Sequence, residues 1–143
     1  MLSGADIASL LPHAGAMVLL DRVEHWSATD IVCATQSHRR ADNPLRRDGQ
    51  LAAVCAVEYG AQAMALHAAL RAREAAPDRP GRRGFLASVR DVKLHQARLD
   101  EIAGDLTIRA QILLPANDRF IYGFTVKAGG VEVVTGQAAV VLA

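Results

Sequence analysis

The feature that most constrains the fold of this chain is a long, alanine-rich apolar stretch near its middle. Residues 51–70 contain eight alanines and a single charged side chain, Glu58. A helix of this composition is apolar on nearly every side, so other elements of the fold must cover most of it. A membrane-spanning helix would be more strongly apolar and would disfavour Glu58 and Gln62 near its centre. The stretch therefore predicts one long helix, from Gln50 to about Glu74, inside a soluble domain with no membrane partner.

The segments that follow this helix have the pattern of strands. Apolar and polar side chains alternate strictly, which is typical of strands that bury one face. Gly129-Gly130 is a tight hairpin signal between the last two of them. In the first of them the alternation changes phase near Arg90-Asp91, which predicts a β-bulge there. We predict four strands, over residues 85–95, 105–114, 119–127 and 131–142.

The residues before the helix complete the pattern. Residues 4–11 predict a short helix that ends at Pro12. Two strands follow, over residues 17–25 and 31–37, and then a polar loop over residues 38–49. An antiparallel sheet curled around one long helix is the hotdog fold, an α+β architecture, and we predict a single domain over residues 1–143. Such a sheet leaves an edge strand unpaired, so we expect a homodimer.

Composition excludes several classes of function. Sixteen Lys and Arg against fifteen Asp and Glu leave a net charge of +1, so no basic field predicts a nucleic-acid partner. The two cysteines, Cys33 and Cys55, form no C-x-x-C pair and indicate neither a disulfide scaffold nor a zinc site. We expect no metal and no cofactor. Residues 1–13 have no secretory signal pattern, which predicts a cytoplasmic protein.

Three groups of motifs occur in order along the chain. They are Leu-Pro-His at 11–13 with MVLLDRV at 17–23, EYGAQA at 58–63, and FLASV at 85–89 with Gly-Asp-Leu at 104–106. In order and spacing they resemble the hotdog-fold 3-hydroxyacyl-[acyl carrier protein] dehydratases of fatty acid biosynthesis. The segments 43–49 and 57–59 are similar to predicted dehydratases associated with aryl polyene synthesis. The resemblance implies a lyase that removes water from a 3-hydroxyacyl thioester of an acyl carrier protein or CoA.

The sequence departs from that family at one point that matters for catalysis. The family carries its catalytic histidine in an H-F-P-x-x-P loop shortly before the central helix. This chain has no such motif, and Pro44 stands fourteen residues before Glu58, at the place of that histidine. The resemblance therefore transfers only the acidic catalytic residue, onto Glu58.

Dehydration requires a base for the α-proton, an acid for the departing oxygen, and a donor that polarises the thioester carbonyl. Glu58 is the candidate acid or base, and Gln62, one helical turn later, could hydrogen-bond and orient its carboxyl group. His38 is the tentative partner, since it opens the loop that leads to the helix; the alternative is a solvated loop histidine. Gly49 lies at the predicted helix start, where free N–H groups could hold the thioester oxygen.

Other candidates and alternatives remain open. His13 is a candidate substrate contact, with packing or capping of its segment as the alternative. A hotdog thioesterase could use a lone helix carboxylate without any histidine. A non-catalytic acyl-binding subunit could form a heterodimer with another hotdog subunit. Two basic loops could meet an acidic carrier protein or a phosphopantetheine phosphate, and they contain Arg39, Arg40, Arg46 and Arg47, and Arg79, Arg82 and Arg83.

Overall fold

A computed structural model describes residues 2–78, 84–115 and 119–142, which form one six-stranded antiparallel sheet around a long helix. Short 3₁₀ turns lie at Gly15–Met17, Ser37–Arg39 and Ala53–Cys55. The helices and strands, in chain order, are α1 Gly4–Leu10, β1 Arg22–Trp26, β2 Asp30–Thr35, α2 Ala56–Ala75, β3 Gly84–Leu94, β4 Leu106–Pro115, β5 Arg119–Ala128 and β6 Val131–Leu142.

The sheet wraps around α2 in the strand order β1-β2-β4-β5-β6-β3. Every strand pair is antiparallel. Thirteen of the twenty α2 residues are buried, so the sheet covers most of the helix surface, as its all-round apolar sequence requires. This arrangement confirms the predicted hotdog architecture. No helix in the described ranges is long and apolar enough to cross a membrane.

Two predicted boundaries differ from the structure. The first strand begins at Arg22 and not at residue 17, because the chain makes a 3₁₀ turn over Gly15–Met17. The long helix begins at Ala56 and not at Gln50. Residues 51 and 52 are held in a β-like pairing instead, before the 3₁₀ turn Ala53–Cys55: Leu51 accepts a hydrogen bond from the Leu99 N–H, at 2.8 Å, and Ala52 pairs with Arg98. This extended backbone excludes a helical one over the same residues.

The predicted bulge and hairpin are confirmed. The pairing of β3 with β6 shifts register between Arg90 and Lys93, and Asp91 adopts a left-handed φ of 56°. Gly129 and Gly130 have φ values of 57° and 83°, the left-handed conformations that a tight hairpin turn requires at both central positions. Glycine therefore suits both turn positions without steric cost.

β3 forms one edge of the sheet, since β6 is its only neighbour in the strand order. Unusually for an edge strand, it exposes large apolar side chains. Phe85, Leu86 and Leu94 are 44%, 38% and 49% exposed. A long edge with exposed apolar groups is a surface on which another strand can pair.

One aromatic ring packs tightly between the helix α2 and the sheet, with no room for a further side chain on either side of it. The Phe124 ring of β5 packs between Gly60 of α2 and Gly136 of β6. A Cβ atom at Gly60 would lie 2.5 Å from Phe124 Cδ2, and a Cβ atom at Gly136 would lie 2.8 Å from the same ring. Both positions therefore require a residue without a side chain.

A second contact fixes the other half of α2 through a buried histidine. His67 Nε2 donates a hydrogen bond to the Ser27 carbonyl at 2.7 Å, because a carbonyl oxygen can only accept. Its Nδ1 atom then accepts a hydrogen bond from the Tyr122 hydroxyl, also at 2.7 Å. The neutral ring can make both bonds, and burial lowers the pKa of His67 below its ordinary value, which favours this neutral form.

We expect the folded state to lose stability in mild acid through His67. Its folded-state pKa lies below the unfolded value of about 6.5, so the unfolded chain takes up the proton first as pH falls. The stability from the neutral ring is complete above about pH 6.5 and declines as pH falls through the folded-state pKa. Urea unfolding at pH 7.5 and pH 5.5 should show this loss. His67→Phe should shrink the difference, and also lower stability by about 1–3 kcal/mol through the unpaired Tyr122 hydroxyl.

The exposed His95 supplies the control for this measurement. His95→Phe should leave the difference between the two pH values unchanged. An undiminished pH difference in the His67→Phe protein would show that other groups cause it.

Candidate active site

Glu58 lies in the first turn of α2 and faces a cavity of about 340 Å³. The cavity is open on one side and is lined by α2, the segment that follows α1, and the start of the edge strand β3. Its lining is largely apolar and consists of Pro12, His13, Glu58, Ala61, Ala65, Phe85 and Leu86. Among these described lining residues, Glu58 and His13 are the titratable ones. A larger open groove of about 510 Å³ lies on the opposite face of the sheet and does not include Glu58.

His13 enters the cavity from the chain segment between α1 and β1. Its Nδ1 atom is buried and has no hydrogen-bond partner among the described residues. Most buried polar nitrogens in folded proteins are paired. His38 Nδ1 and Arg46 Nε are also buried without a partner among the described residues, but neither residue lines this cavity. The structure thus places His13, a predicted substrate contact, in the same cavity as Glu58.

Gln62 is fully buried, but its side chain does not bond Glu58 as the sequence predicted. Gln62 Oε1 accepts a hydrogen bond from the Leu19 N–H at 2.9 Å, and Gln62 Nε2 donates to the Met17 carbonyl. The amide therefore clamps residues 17–19 onto α2, one helical turn beyond Glu58. Its donor and acceptor groups are used by the backbone, which leaves it a positioning role.

His38, the tentative partner of Glu58, lies elsewhere in the chain's interior. The 3₁₀ turn Ser37–Arg39 directs its ring inward, where Nε2 donates to the Ile102 carbonyl at 3.0 Å. Burial lowers the pKa of His38 and favours the neutral ring. His38 does not line the Glu58 cavity. A single chain therefore does not bring these two residues together.

Gly49 does not lie at a helix start, contrary to the prediction. It has a φ of 74° and occupies a tight turn in which Arg47 and Gln50 exchange backbone hydrogen bonds. The helix begins seven residues later at Ala56, whose N–H donates to the Ala53 carbonyl. The expected group of free amides at Gly49-Gln50 is therefore absent from this described segment.

A buried network that the sequence analysis missed fixes the loop before the helix. The Tyr59 hydroxyl lies 2.8 Å from Ser37 Oγ and accepts a hydrogen bond from Asn43 Nδ2 at 3.0 Å. Asn43 Nδ2 also donates to the Ser37 carbonyl at 2.9 Å. The network ties residues 37–43 to the helix residue next to Glu58. No spacing rule links these three residues in the sequence, so pattern analysis had no signal for them.

Two of the family-like motifs, MVLLDRV at 17–23 and Gly-Asp-Leu at 104–106, meet in an ion-pair network outside the cavity. Arg22 Nη2 donates to Asp105 Oδ2 at 2.7 Å, and Gln36 Nε2 donates to Asp105 Oδ1 at 2.7 Å. These two bonds, the one from Arg22 first, hold the pKa of Asp105 below its usual range. Asp21 accepts from the Gln36 N–H and pairs with Arg40. The motifs thus join the ends of β1, β2 and β4.

The basic loops are partly engaged within the chain. Arg40 pairs with Asp21, and Arg46 donates to the backbone carbonyls of Gly49 and His38. Arg39 and Arg47 are exposed. The other three arginines of these loops lie outside the described residues: Arg79, Arg82 and Arg83. Within the described ranges, no cluster of three His, Cys, Asp or Glu side chains could hold a metal ion.

Solved structures with the same architecture include dehydratases and thioesterases. The dehydratase heterocomplex ApeI:P from Xenorhabdus doucetiae matches with a TM-score of 0.84 and 23% identity, over 100% of this chain and 92% of that chain. A thioesterase from Haemophilus influenzae matches with a TM-score of 0.68 and 10% identity, over 100% and 92%. AziG from S. sahachiroi matches with a TM-score of 0.66 and 19% identity, over 92% and 96%.

The sequence itself matches one family over nearly its whole length. A search of curated protein sequences finds no match. The model of the ApeP-like family, described as ApeP dehydratase, matches residues 5–143. That range includes Glu58, the cavity and all six strands. The chain therefore belongs to the ApeP-like dehydratase family.

Proposed function

We propose that this chain dehydrates a 3-hydroxyacyl thioester carried by an acyl carrier protein, and that Glu58 transfers protons in the reaction. The observation that carries the proposal is the position of Glu58. Among the described residues it is the one carboxyl group on the wall of a mostly apolar cavity, in a chain of a dehydratase family. Cavities of roughly 300–1,000 Å³ are typical of small-molecule sites, and this one has about 340 Å³.

The chemistry of the cavity suits an acyl thioester. Elimination breaks the C2–H and C3–O bonds and forms a C2=C3 double bond and water. A carboxyl group beside the reacting carbons can accept or deliver one of the two protons. Ala61, Ala65 and Leu86 offer apolar contacts to the acyl chain. An extended acyl chain can pack against these apolar side chains without burying polar groups that have no hydrogen-bond partner.

The partner in this proposal is a second hotdog subunit that pairs with the β3 edge. Phe85 and Leu86 line the cavity and are also exposed on that edge, so a strand added there would close the cavity. The similar structure from X. doucetiae is a heterocomplex of dehydratase subunits. The missing histidine loop favours a different subunit over a second copy, because a second copy would lack the same loop.

Phe85→Asp should weaken this pairing at least about tenfold, because a carboxylate placed unpaired in an apolar interface costs more than about 1.4 kcal/mol. Analytical ultracentrifugation of the chain with a hotdog partner, and of the chain alone, measures the change. Val131→Asp is the control, since Val131 is 60% exposed at the β5–β6 hairpin, at the end of β6 opposite to Val141, the residue that pairs with Phe85. Equal assembly of the wild type and the Phe85→Asp protein would place the interface elsewhere.

The activity is tested by incubating a 3-hydroxyacyl-[acyl carrier protein] with the chain, alone and with a hotdog partner, and following the acyl group by intact mass. Loss of one water with the chain alone, or in the mixture when neither the partner alone nor the mixture with a Glu58→Gln chain removes it, supports the proposal. Release of free acid would support a thioesterase, which the lone helix carboxylate and the missing histidine loop would also suit. Unchanged substrate in both mixtures would overturn the proposal in favour of a non-catalytic subunit.

A further inference from the structure

We infer that His13 is the second proton-transfer residue of the Glu58 cavity, acting on the 3-hydroxyl group of the substrate. The inference rests on the proposed dehydration and assigns a role that the family resemblance does not give to this histidine. Elimination needs two proton transfers on neighbouring carbons, and one carboxyl group serves only one of them at a time. Among the described residues that line the cavity, the other titratable side chain is that of His13.

The other four histidines of the chain are all described, and each is engaged or exposed away from the cavity. His38 bonds the Ile102 carbonyl, and both ring nitrogens of His67 have protein partners. His25 is largely exposed and lies 3.6 Å from Asp30, and His95 is exposed after the last residue of β3. His13 is therefore the histidine that this chain brings to Glu58.

The chain is anchored on both sides of His13, while one ring nitrogen of His13 is unpaired. Leu11 and Leu19, on either side of it in sequence, are buried in the core. Gln62 clamps residues 17–19 to the helix that carries Glu58. Nevertheless His13 Nδ1 is buried with no partner among the described residues. A buried nitrogen left unpaired in this way costs free energy, which is typical of sites whose partner arrives with a ligand.

The two residues divide the reaction as follows. The Glu58 carboxylate accepts the C2 proton, and the C–H electron pair becomes the C2=C3 double bond. The C3–O bond breaks, and its electron pair leaves with the oxygen, which takes a proton from the imidazolium of His13 and departs as water. Glu58 is left protonated and His13 neutral. One proton moved from Glu58 to His13 restores both groups, so no co-reactant is consumed.

The test compares wild-type and His13→Gln proteins with 3-hydroxyacyl-[acyl carrier protein], each assembled with the same hotdog partner. We expect kcat to fall about 10²–10⁴-fold, with KM changed less than about threefold. The pH profile of kcat/KM should lose one of its two limbs in the variant, because only one proton-transfer group of the pair is left. Added imidazole should partly restore turnover to His13→Ala. His25→Gln, a substitution of an exposed histidine, should behave as wild type.

The outcomes separate this inference from the proposed function. If the wild-type assembly removes water and the rate of the His13→Gln assembly is within about threefold of the wild-type rate, the role of His13 is overturned. The proposed dehydratase function is then unaffected. A higher KM with unchanged kcat and no rescue by imidazole would make His13 a substrate contact only, and would also overturn it. Absence of water loss by the wild-type assembly would overturn both. His13→Asn replaces His13→Gln if the latter does not fold, as judged by its unfolding midpoint.

Discussion

Glu58→Gln should lower the turnover of the 3-hydroxyacyl thioester by about 10²–10⁴-fold, the range for loss of one proton-transfer group. Glutamine keeps the size and hydrogen-bonding reach of glutamate but can neither accept nor deliver the proton. The Glu58 side chain lies on the wall of the cavity, and no described side chain that bonds it would be left unpaired. Steady-state formation of enoyl product, assayed with the hotdog partner present, measures the effect.

Stability distinguishes a catalytic carboxyl group from a structural one at the same site. Because Glu58 is surrounded mainly by apolar side chains, its neutral amide analogue should unfold at the same or a higher urea concentration. Glu74→Gln is the matched control, since Glu74 is an exposed carboxylate on the same helix. It should change neither turnover nor stability. Wild-type turnover by a folded Glu58→Gln protein would exclude Glu58 from the chemistry.

The architecture was predictable because the burial of helix and strand faces produces regular patterns of apolar residues in the sequence. The alanine-rich stretch predicted a covered helix, and thirteen of the twenty α2 residues are buried. The change of phase near Arg90-Asp91 predicted the bulge that the structure has. The boundaries of the elements were less predictable. The segment 51–53 is as apolar as the helix, but it pairs with residues 97–100, and such a distant contact leaves no local pattern.

Residues of the candidate site were predictable only where their polarity differs from that of the neighbouring sequence. Glu58 is a single charge in an apolar helix, which marked it directly. Gln62 was correctly predicted on the same helix, but its bonding partners, Leu19 and Met17, are 43 and 45 residues away in the chain. The inward turn of His38 depends on the backbone conformation of Ser37–Arg39, for which the polar loop sequence has no periodic signal. Side-chain direction in loops is set by such tertiary contacts.

Gly60→Ala should destabilise the fold by about 1–3 kcal/mol, as overpacking of a dense core does. In an ordinary helix the same substitution would be favourable by up to about 1 kcal/mol, since alanine is the better helix former. Here the new Cβ atom would lie 2.5 Å from Phe124 Cδ2. The ring cannot retreat, because its opposite edge, at Cε1 and Cζ, lies against Gly136. Urea unfolding of the two proteins at neutral pH measures the difference in free energy.

Two further variants test whether the Phe124 ring causes this loss. Gly4→Ala is the control, because a Cβ atom at Gly4 has its nearest neighbour at 3.9 Å and should be tolerated. Phe124→Leu introduces a smaller side chain and should by itself lower the free energy of unfolding. The double variant Gly60→Ala/Phe124→Leu should nevertheless lose less unfolding free energy than the two single variants lose in sum. Additive losses would show that Gly60 and Phe124 are not in steric conflict. Because Gly60 is two residues from Glu58, the overpacked helix should also shift the cavity wall and reduce turnover together with stability.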